Sequence, residues 1–119
     1  NFAGIAALGA SIDLILQYGV DSIADRIETL TTLLVDELEK LDCEVASPRD
    51  NDEWSGIVAF HHEKLDSQEI DKQFSSENII TSVRNKWLRV AVDFFNDEEE
   101  ILKLVNSLKK QLDNALCNV

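Results

Sequence analysis

Apolar residues surround the first predicted helix, whereas they form a single face on the second. Residues 2–17 predict a helix that is apolar around most of its circumference, through Phe2, Ile5, Ala6, Leu8, Ile12, Leu14, Ile15 and Leu16. A helix of this kind is normally buried on several sides, yet a domain this small buries only about two-thirds of its unfolded surface. We therefore expect the helix to pack against protein outside this chain. Burial inside this domain alone is the alternative.

The segment after Gly19 predicts a second helix with one apolar face. Asp21 or Ser22 is expected to cap it, and Asp42 is expected to end it. Its apolar positions recur at spacings of three and four: Ile23, Ile27, Leu30, Leu34, Leu38 and Leu41. This spacing is typical of a surface helix that rests one face on the core.

Four short segments predict strands. Residues 43–46 and 55–61 are separated by turn residues at 47–52, and the continuous apolar run at 56–60 favours a buried strand. Residues 78–83 and 87–92 predict a hairpin that is closed by a turn at 84–86.

The third helix carries a start signal in the sequence. Asp66 is followed three residues later by Glu69, which is the capping-box pattern, and Leu65 is expected to pack on Ile70. Ile70 and Phe74 are expected to form the buried edge of this short helix.

The fourth helix is expected to begin with Asn96 as its cap and Glu99 as the third helical residue. Acidic residues at 97–100, with Lys109 and Lys110 toward the end, complement the helix dipole. Its apolar stripe comprises Ile101, Leu104, Val105, Leu108, Leu112 and Ala115.

The element order ααββαββα predicts an α+β fold, in which a small antiparallel sheet of about four strands is covered by helices. A chain of 119 residues fits a single domain over residues 1–119.

The net charge of the chain restricts the classes of molecule that it can bind. Eleven Lys and Arg against 23 Asp and Glu leave a formal net charge of −12, which repels nucleic acid and anionic membrane surfaces. Asp13 interrupts the apolar N-terminal stretch and no basic region precedes it, so neither a signal peptide nor a membrane span is expected. The chain begins with Asn and contains no Met, from which we expect a fragment of a longer protein.

Cys43 and Cys117 are the two cysteines, too few for a disulfide framework. They are expected to be small buried hydrophobic residues rather than nucleophiles. A reducing cytosol is favoured, with a single disulfide as the alternative. His61 and His62 are adjacent in a strand, where they face opposite ways, so no metal site is expected there.

Arg89 is the first candidate for chemistry. Leu88, Val90 and Val92 are expected to form the apolar face of their strand, so that Arg89 points the other way. Its planar guanidinium matches a carboxylate in bidentate geometry, which indicates either capture of a substrate carboxylate or a structural ion pair. Arg84 lies in the predicted turn, where a solvated charge is the ordinary role.

Three stretches of the chain occur in the order found in a known family: NFAGIAALGA at residues 1–10, SGIVAF at 55–60 after the Ser47-Pro48 turn, and LRVAVDFFNDEEEI at 88–101. Together they resemble the C-terminal part of class V aminotransferases. This is the fold-type I, pyridoxal-phosphate-dependent family that includes cysteine desulfurases and isopenicillin N epimerase-like proteins.

The resemblance implies a small domain that closes over the active site of a large cofactor-binding domain in a homodimer. It implies that residues 1–18 form the helix between the two domains. It also implies that Arg89 binds the α-carboxylate of an amino-acid substrate, and Arg84 falls where relatives often carry an arginine. In the family the lysine that binds pyridoxal phosphate lies upstream, and none of the lysines here has its context, so the chain alone is expected to be inactive.

Two departures from the family are visible. Relatives often have His and Tyr where this chain has Asp93 and Phe95, so hydrogen bonds from those groups are not expected. The turn at 84–86 is short and lacks the nucleophilic cysteine of cysteine desulfurases, which argues against sulfur abstraction.

The leading hypothesis is the substrate-closing domain of an enzyme of this family that acts on an amino acid. The alternative is a non-catalytic α+β module that senses a ligand or mediates oligomerisation, with the first helix as its interface.

Overall fold

A computed structural model describes residues 1–50 and 53–117, and the elements in these ranges follow the order expected from the sequence. They are α1 (Phe2–Tyr18), α2 (Val20–Lys40), β1 (Glu44–Val45), β2 (Ile57–His61), α3 (Ser67–Ser76), β3 (Ser82–Arg84), β4 (Trp87–Ala91) and α4 (Glu98–Cys117). The expected turn at 47–52 includes positions 51 and 52, which lie outside the described residues.

The strands form a four-stranded sheet in the order β1-β2-β4-β3, and every neighbouring pair is antiparallel. The predicted α+β fold class is confirmed. The hairpin turn is shorter than expected, because Arg84 pairs with Trp87 inside the ladder and only Asn85 and Lys86 connect the strands. Asn85 has a φ of 56°, a left-handed conformation that asparagine tolerates better than most residues.

The core lies on one face of this sheet, beneath α2, α3 and α4. The sheet contributes Val58, Phe60, Leu88 and Val90, and the helices contribute Leu30, Leu34, Leu38, Ile70, Phe74, Leu104 and Leu108. The sequence predicted a buried strand at β2, and the structure buries one of its two faces. Val58 and Phe60 are buried, whereas Ile57 on the other face is 39% exposed. The second face of the sheet is therefore open as far as the described residues extend.

The backbone just before β2 lies close to the backbone just after β4. The amide of Val92 donates a hydrogen bond of 2.7 Å to the carbonyl oxygen of Gly56. A Cβ at position 56 would lie 2.8 Å from the carbonyl oxygen of Val92, so only glycine fits there.

No residue of α1 is buried by the described part of the chain. Phe2 is 93% exposed and Ile5 is 68% exposed, so the described residues of this domain do not bury the helix. Its last residue, Tyr18, places its ring 5.9 Å from that of Phe94. The packing of α1 against protein outside this chain stays a prediction.

α2 turns away from α1 by 81°. Gly19 lies between them with a φ of 88° and occupies the N-cap position of α2. Asp21 and Ser22, the expected caps, lie instead inside its first turn, because a glycine at this φ lets the second helix start immediately. Among the described residues, no helix is long and apolar enough to cross a membrane on its own, and α1 and α2 meet that test only as a bent pair.

The starts of α3 and α4 also differ from expectation. Asp66 occupies the N-cap of α3, but its side chain makes no capping hydrogen bond within the described residues. The capping box of α4 lies one residue later than predicted, on Asp97 and Glu100. Lys109 and Lys110 are not in the last turn, because α4 continues to Cys117 and its C-terminal turn has no basic residue.

Candidate functional site

The open face of the sheet carries the residues that the sequence singled out. Along β4, Leu88 and Val90 are buried in the core, as the alternation predicted. Trp87, Arg89 and Ala91 therefore face away from the helices. The candidate arginine thus lies on the side of the sheet that no element of the described chain covers.

Arg89 is half-buried and lies among small side chains. Its cross-strand partners are Ala59 in β2 and Ser82 in β3. Neither is charged, and within the described residues the guanidinium has no ion-pair or hydrogen-bond partner. The structure therefore does not support the structural ion pair that the sequence left open for this residue.

Arg84 shares the open face with Arg89. It pairs with Trp87 in the ladder, and cross-strand partners point to the same side of a sheet. Relative to Arg89 it occupies the diagonal position, for which Cβ atoms are about 7–8 Å apart or somewhat less. Its side chain is exposed. The two candidate arginines are thus neighbours on one surface.

One cluster on this face was not found from the sequence. The His61 Nε2 lies 2.7 Å from an oxygen of Glu44 and 2.8 Å from the Lys86 Nζ. The His61 ring is 4.8 Å from the Trp87 ring, and Lys86 lies over the same indole at 4.6 Å. These residues come from three strands and a turn, so no local spacing in the sequence could have indicated their contact.

This cluster matters for the candidate site because its basic residues contact the carboxylate of Glu44. Glu44 is held by His61 and lies 3.8 Å from Lys86, so the carboxylate on β1 already has two partners. His62 follows the end of β2, is buried, and lies beside residues of α2 and α4. Among the described residues, no three metal-ligating side chains come together.

The segment after β4 contains Asp93 and Phe95, the first of the two departures noted in the sequence. Asp93 accepts a hydrogen bond from the amide of Phe94, and its own amide donates to the side chain of Asn96. Phe95 is 73% exposed. Asp93 is therefore used to shape the turn that leads into α4.

The two cysteines have different environments. Cys43 is buried, and burial together with the charge of Asp42 raises the pKa of its thiol to about 12. It is therefore a neutral packing residue at physiological pH. Cys117 is exposed, so the prediction that it is buried was wrong. It lies at the last turn of α4, which extends beyond the core.

These features define a small α+β domain with one helical layer and one open sheet face that carries two arginines. Residues 1–104 match the family described as aminotransferase class-V, and the chain belongs to that family. The predicted resemblance is thereby confirmed. The family comprises pyridoxal-phosphate-dependent enzymes.

Solved structures share the fold. An apo structure of a cysteine desulfurase from Thermococcus onnurineus NA1 superposes with a TM-score of 0.84 at 17% identity, covering 90% of this chain and 30% of that one. A NifS-like protein superposes with a TM-score of 0.78 at 15% identity, covering 87% of this chain and 32% of that one. This chain therefore spans about a third of the length of either structure.

The residues of this chain do not by themselves fit pyridoxal phosphate. The cofactor needs a lysine amine within an enclosed site. All seven lysines here, at positions 40, 64, 72, 86, 103, 109 and 110, are exposed. No step of cofactor chemistry is therefore assigned to the described residues.

Proposed function

We propose that this chain is the C-terminal, substrate-closing domain of a pyridoxal-phosphate-dependent class V aminotransferase-like enzyme acting on an amino acid. Membership in the family supports the class of enzyme. The span of about a third of the solved structures supports a larger remainder, which would hold the cofactor and its lysine. Two such chains would form a homodimer in the cytoplasm.

The observation that carries the proposal is the Arg89 guanidinium on the open sheet face, which has no partner among residues 1–50 and 53–117. The guanidinium is available to an anion from outside this domain, because no described residue accepts from it and its planar donors match a carboxylate. Ala59 and Ser82 leave room beside it and offer no carboxylate. In the assembled enzyme, Arg89 binds the carboxylate of the substrate through two parallel N–H···O bonds.

Two further features fit this role. Arg84 adds a second positive charge to the same face, which favours an anionic ligand and makes it the second substrate-binding candidate. The apolar surface of α1 suits a helix that packs between this domain and the large domain, since residues 1–18 find no cover in the described chain.

The role of Arg89 is tested by substitution in the full-length enzyme. A charge-assisted hydrogen bond contributes about 1.5–3 kcal/mol, so Arg89→Ala should raise KM for an amino acid roughly 10- to 150-fold. Arg89→Lys should raise it less, because the charge remains and the bidentate geometry is lost. Steady-state kinetics with an amino acid and with its decarboxylated amine measure the effect.

The control is Arg49→Ala on the opposite layer, where Arg49 donates to hydroxyl groups of Thr31 and Thr32 in α2. Its KM should remain near that of the wild type. KM for the decarboxylated amine should also be insensitive to Arg89→Ala. An amino-acid KM that Arg89→Ala leaves unchanged would remove the assigned role.

A non-catalytic ligand-sensing or oligomerisation module is the second candidate, and the exposed apolar α1 is the observation that favours it. As an interface between two copies, α1 would bury the same side chains that the first proposal places between domains. The sequence upstream in the parent gene separates the two: a large domain with a lysine after a strand supports the enzyme, and a start codon near Asn1 supports the module.

A further inference from the structure

A cleft lies between the end of α2, the residues that follow β2 and the last turns of α4. Its volume is about 350 Å³, within the range of about 300–1,000 Å³ that is typical of small-molecule sites. It lies on the helical side of the domain, whereas Arg89 is on the open sheet face. The cleft is also at the C-terminal end of α2, which is the end far from α1. The cleft is therefore separate from the surface assigned to the substrate.

The floor of the cleft is apolar. Leu41 follows α2, and Leu112 and Leu116 lie one turn apart on α4. Leu116 is 58% exposed and follows Ala115, the last residue of the apolar stripe of α4. No described residue covers the exposed part of this side chain. Contact with an apolar ligand would remove that apolar surface from water, which is favourable.

His62 supplies a hydrogen-bond donor at the edge of this floor. The residue is only 7% exposed and lines the cleft. Its Nδ1 accepts a hydrogen bond of 3.1 Å from the amide of Lys64, so in the neutral ring the proton is on Nε2. The ring nitrogen that remains for a ligand is therefore a donor.

The charges around the cleft differ from those of the chain as a whole. Lys40, Lys64 and Lys109 line it together with Asp42 and Asp113, a local balance of +1 in a chain of net charge −12. Lys40 is held by Glu37 at 2.5 Å. Lys64 and Lys109 have no ion-pair partner within the described residues, so two ammonium groups remain for an anion.

We propose that this cleft binds a small monocarboxylate with an apolar tail, such as a medium-chain fatty acid. The carboxylate accepts from the His62 Nε2 and pairs with Lys64 and Lys109, and the tail lies on the leucines. The cleft is on the helical side of the domain and Arg89 is on the open sheet face, so this site does not depend on the substrate role proposed for Arg89.

The test is a titration of the isotope-labelled protein with octanoate below its micellar concentration, followed by amide chemical shifts. We expect shifts at residues 40–42, 62–64 and 109–116, and one site per chain. Lys109→Gln should weaken binding about threefold to fivefold, and His62→Asn about tenfold, because the donor bond to the carboxylate is lost. Ala115→Phe should also weaken binding, because its ring fills the cleft.

Lys72→Gln is the matched control, since this lysine is exposed on α3 and does not line the cleft. It should leave the affinity unchanged. Octylamine and octanol carry the same tail without the carboxylate and should bind at least tenfold more weakly. Equal affinity for octylamine, shifts confined to α1, or octanoate affinity that neither Lys109→Gln nor Ala115→Phe changes would each overturn the proposal.

Discussion

Asp97 and Glu100 hold the first turn of α4 through reciprocal hydrogen bonds. The amide of Glu100 donates to the Asp97 carboxylate at 2.8 Å, and the amide of Asp97 donates to the Glu100 carboxylate at 3.2 Å. Two amide donors that the helix itself leaves without partners are satisfied in this way. Asn96 has a different role, because its side chain accepts from the amide of Asp93 and donates to Glu100.

Replacing Asp97 by Ala should lower the free energy of unfolding by about 1 kcal/mol, the usual value of an N-cap side chain. Asn96→Ala should cost less, since it removes no cap of the helix. Urea denaturation of both variants measures the difference. A larger loss for Asn96→Ala than for Asp97→Ala would assign the cap to the residue that the sequence pattern first suggested.

At the scale of elements, α2 and the start of α4 are joined by one arginine. The two terminal nitrogens of Arg26 lie 2.5 and 3.0 Å from the two carboxylate oxygens of Glu98, and one also donates to the carbonyl oxygen of Asn96 at 3.1 Å. The hydrogen bond from Arg26 lowers the pKa of Glu98 below its ordinary value of 4.5. Folding therefore favours the carboxylate form of Glu98.

This contact predicts a pH dependence of stability. A carboxyl group whose pKa is lowered by folding stabilises the fold above its unfolded pKa, and that stabilisation is lost as the pH falls through the folded pKa. Glu98→Gln should therefore be less stable than the wild type at pH 7, and the difference should shrink below about pH 4.5.

Chemical denaturation at a series of pH values checks this expectation. Glu99→Gln is the matched control, because it removes a charge from the same helical turn without touching Arg26. A Glu98→Gln deficit that is the same at pH 3 and pH 7, or that Glu99→Gln reproduces in full, would contradict a specific role of the Arg26–Glu98 pair.

At the scale of the whole molecule, two surfaces are left uncovered by the part of the chain that the structure describes. One is α1, with Phe2, Ile5 and Leu8 more than half exposed, and the other is the sheet face that carries Arg89. A monomeric domain rarely exposes so much contiguous apolar helix surface unless it contacts a partner. Both surfaces suit contacts with a larger body, which is the arrangement proposed above.

The chain alone should therefore neither bind pyridoxal phosphate covalently nor turn over an amino acid. Its lysines are all exposed, and the proposed remainder of the enzyme would supply the cofactor site. The measurement is the visible absorbance of the cofactor with the chain alone and with the full-length protein, before and after addition of amino acids. Turnover by the chain alone would contradict the proposed division of roles.

Local sequence patterns were sufficient for the order of the elements and for the faces that they bury. Leu88 and Val90 were assigned to the core, and Arg89 to the opposite face, because a strand alternates its side chains whatever lies around it. The apolar circumference of α1 and the small size of the domain also gave the expectation that α1 packs against other protein, which stays a prediction.

Local sequence patterns gave the wrong residue where two neighbouring positions fitted the same motif. Both Asn96 with Glu99 and Asp97 with Glu100 fit a capping box, and the choice depends on where the chain leaves β4 and on Arg26 reaching across from α2. The extent of burial was equally undecided for β2, since an apolar run does not reveal whether one or both faces are covered.

Contacts between distant parts of the chain were decided only when the elements packed. The small neighbours of Arg89 come from two other strands, the partners of His61 come from β1 and the hairpin turn, and the cleft joins the ends of two helices to the residues after β2. Helical and strand periodicity arises from neighbours a few residues apart, and amino acids alone carry that information. Side chains far apart in sequence meet only after burial of the apolar faces has set how the layers lie on one another.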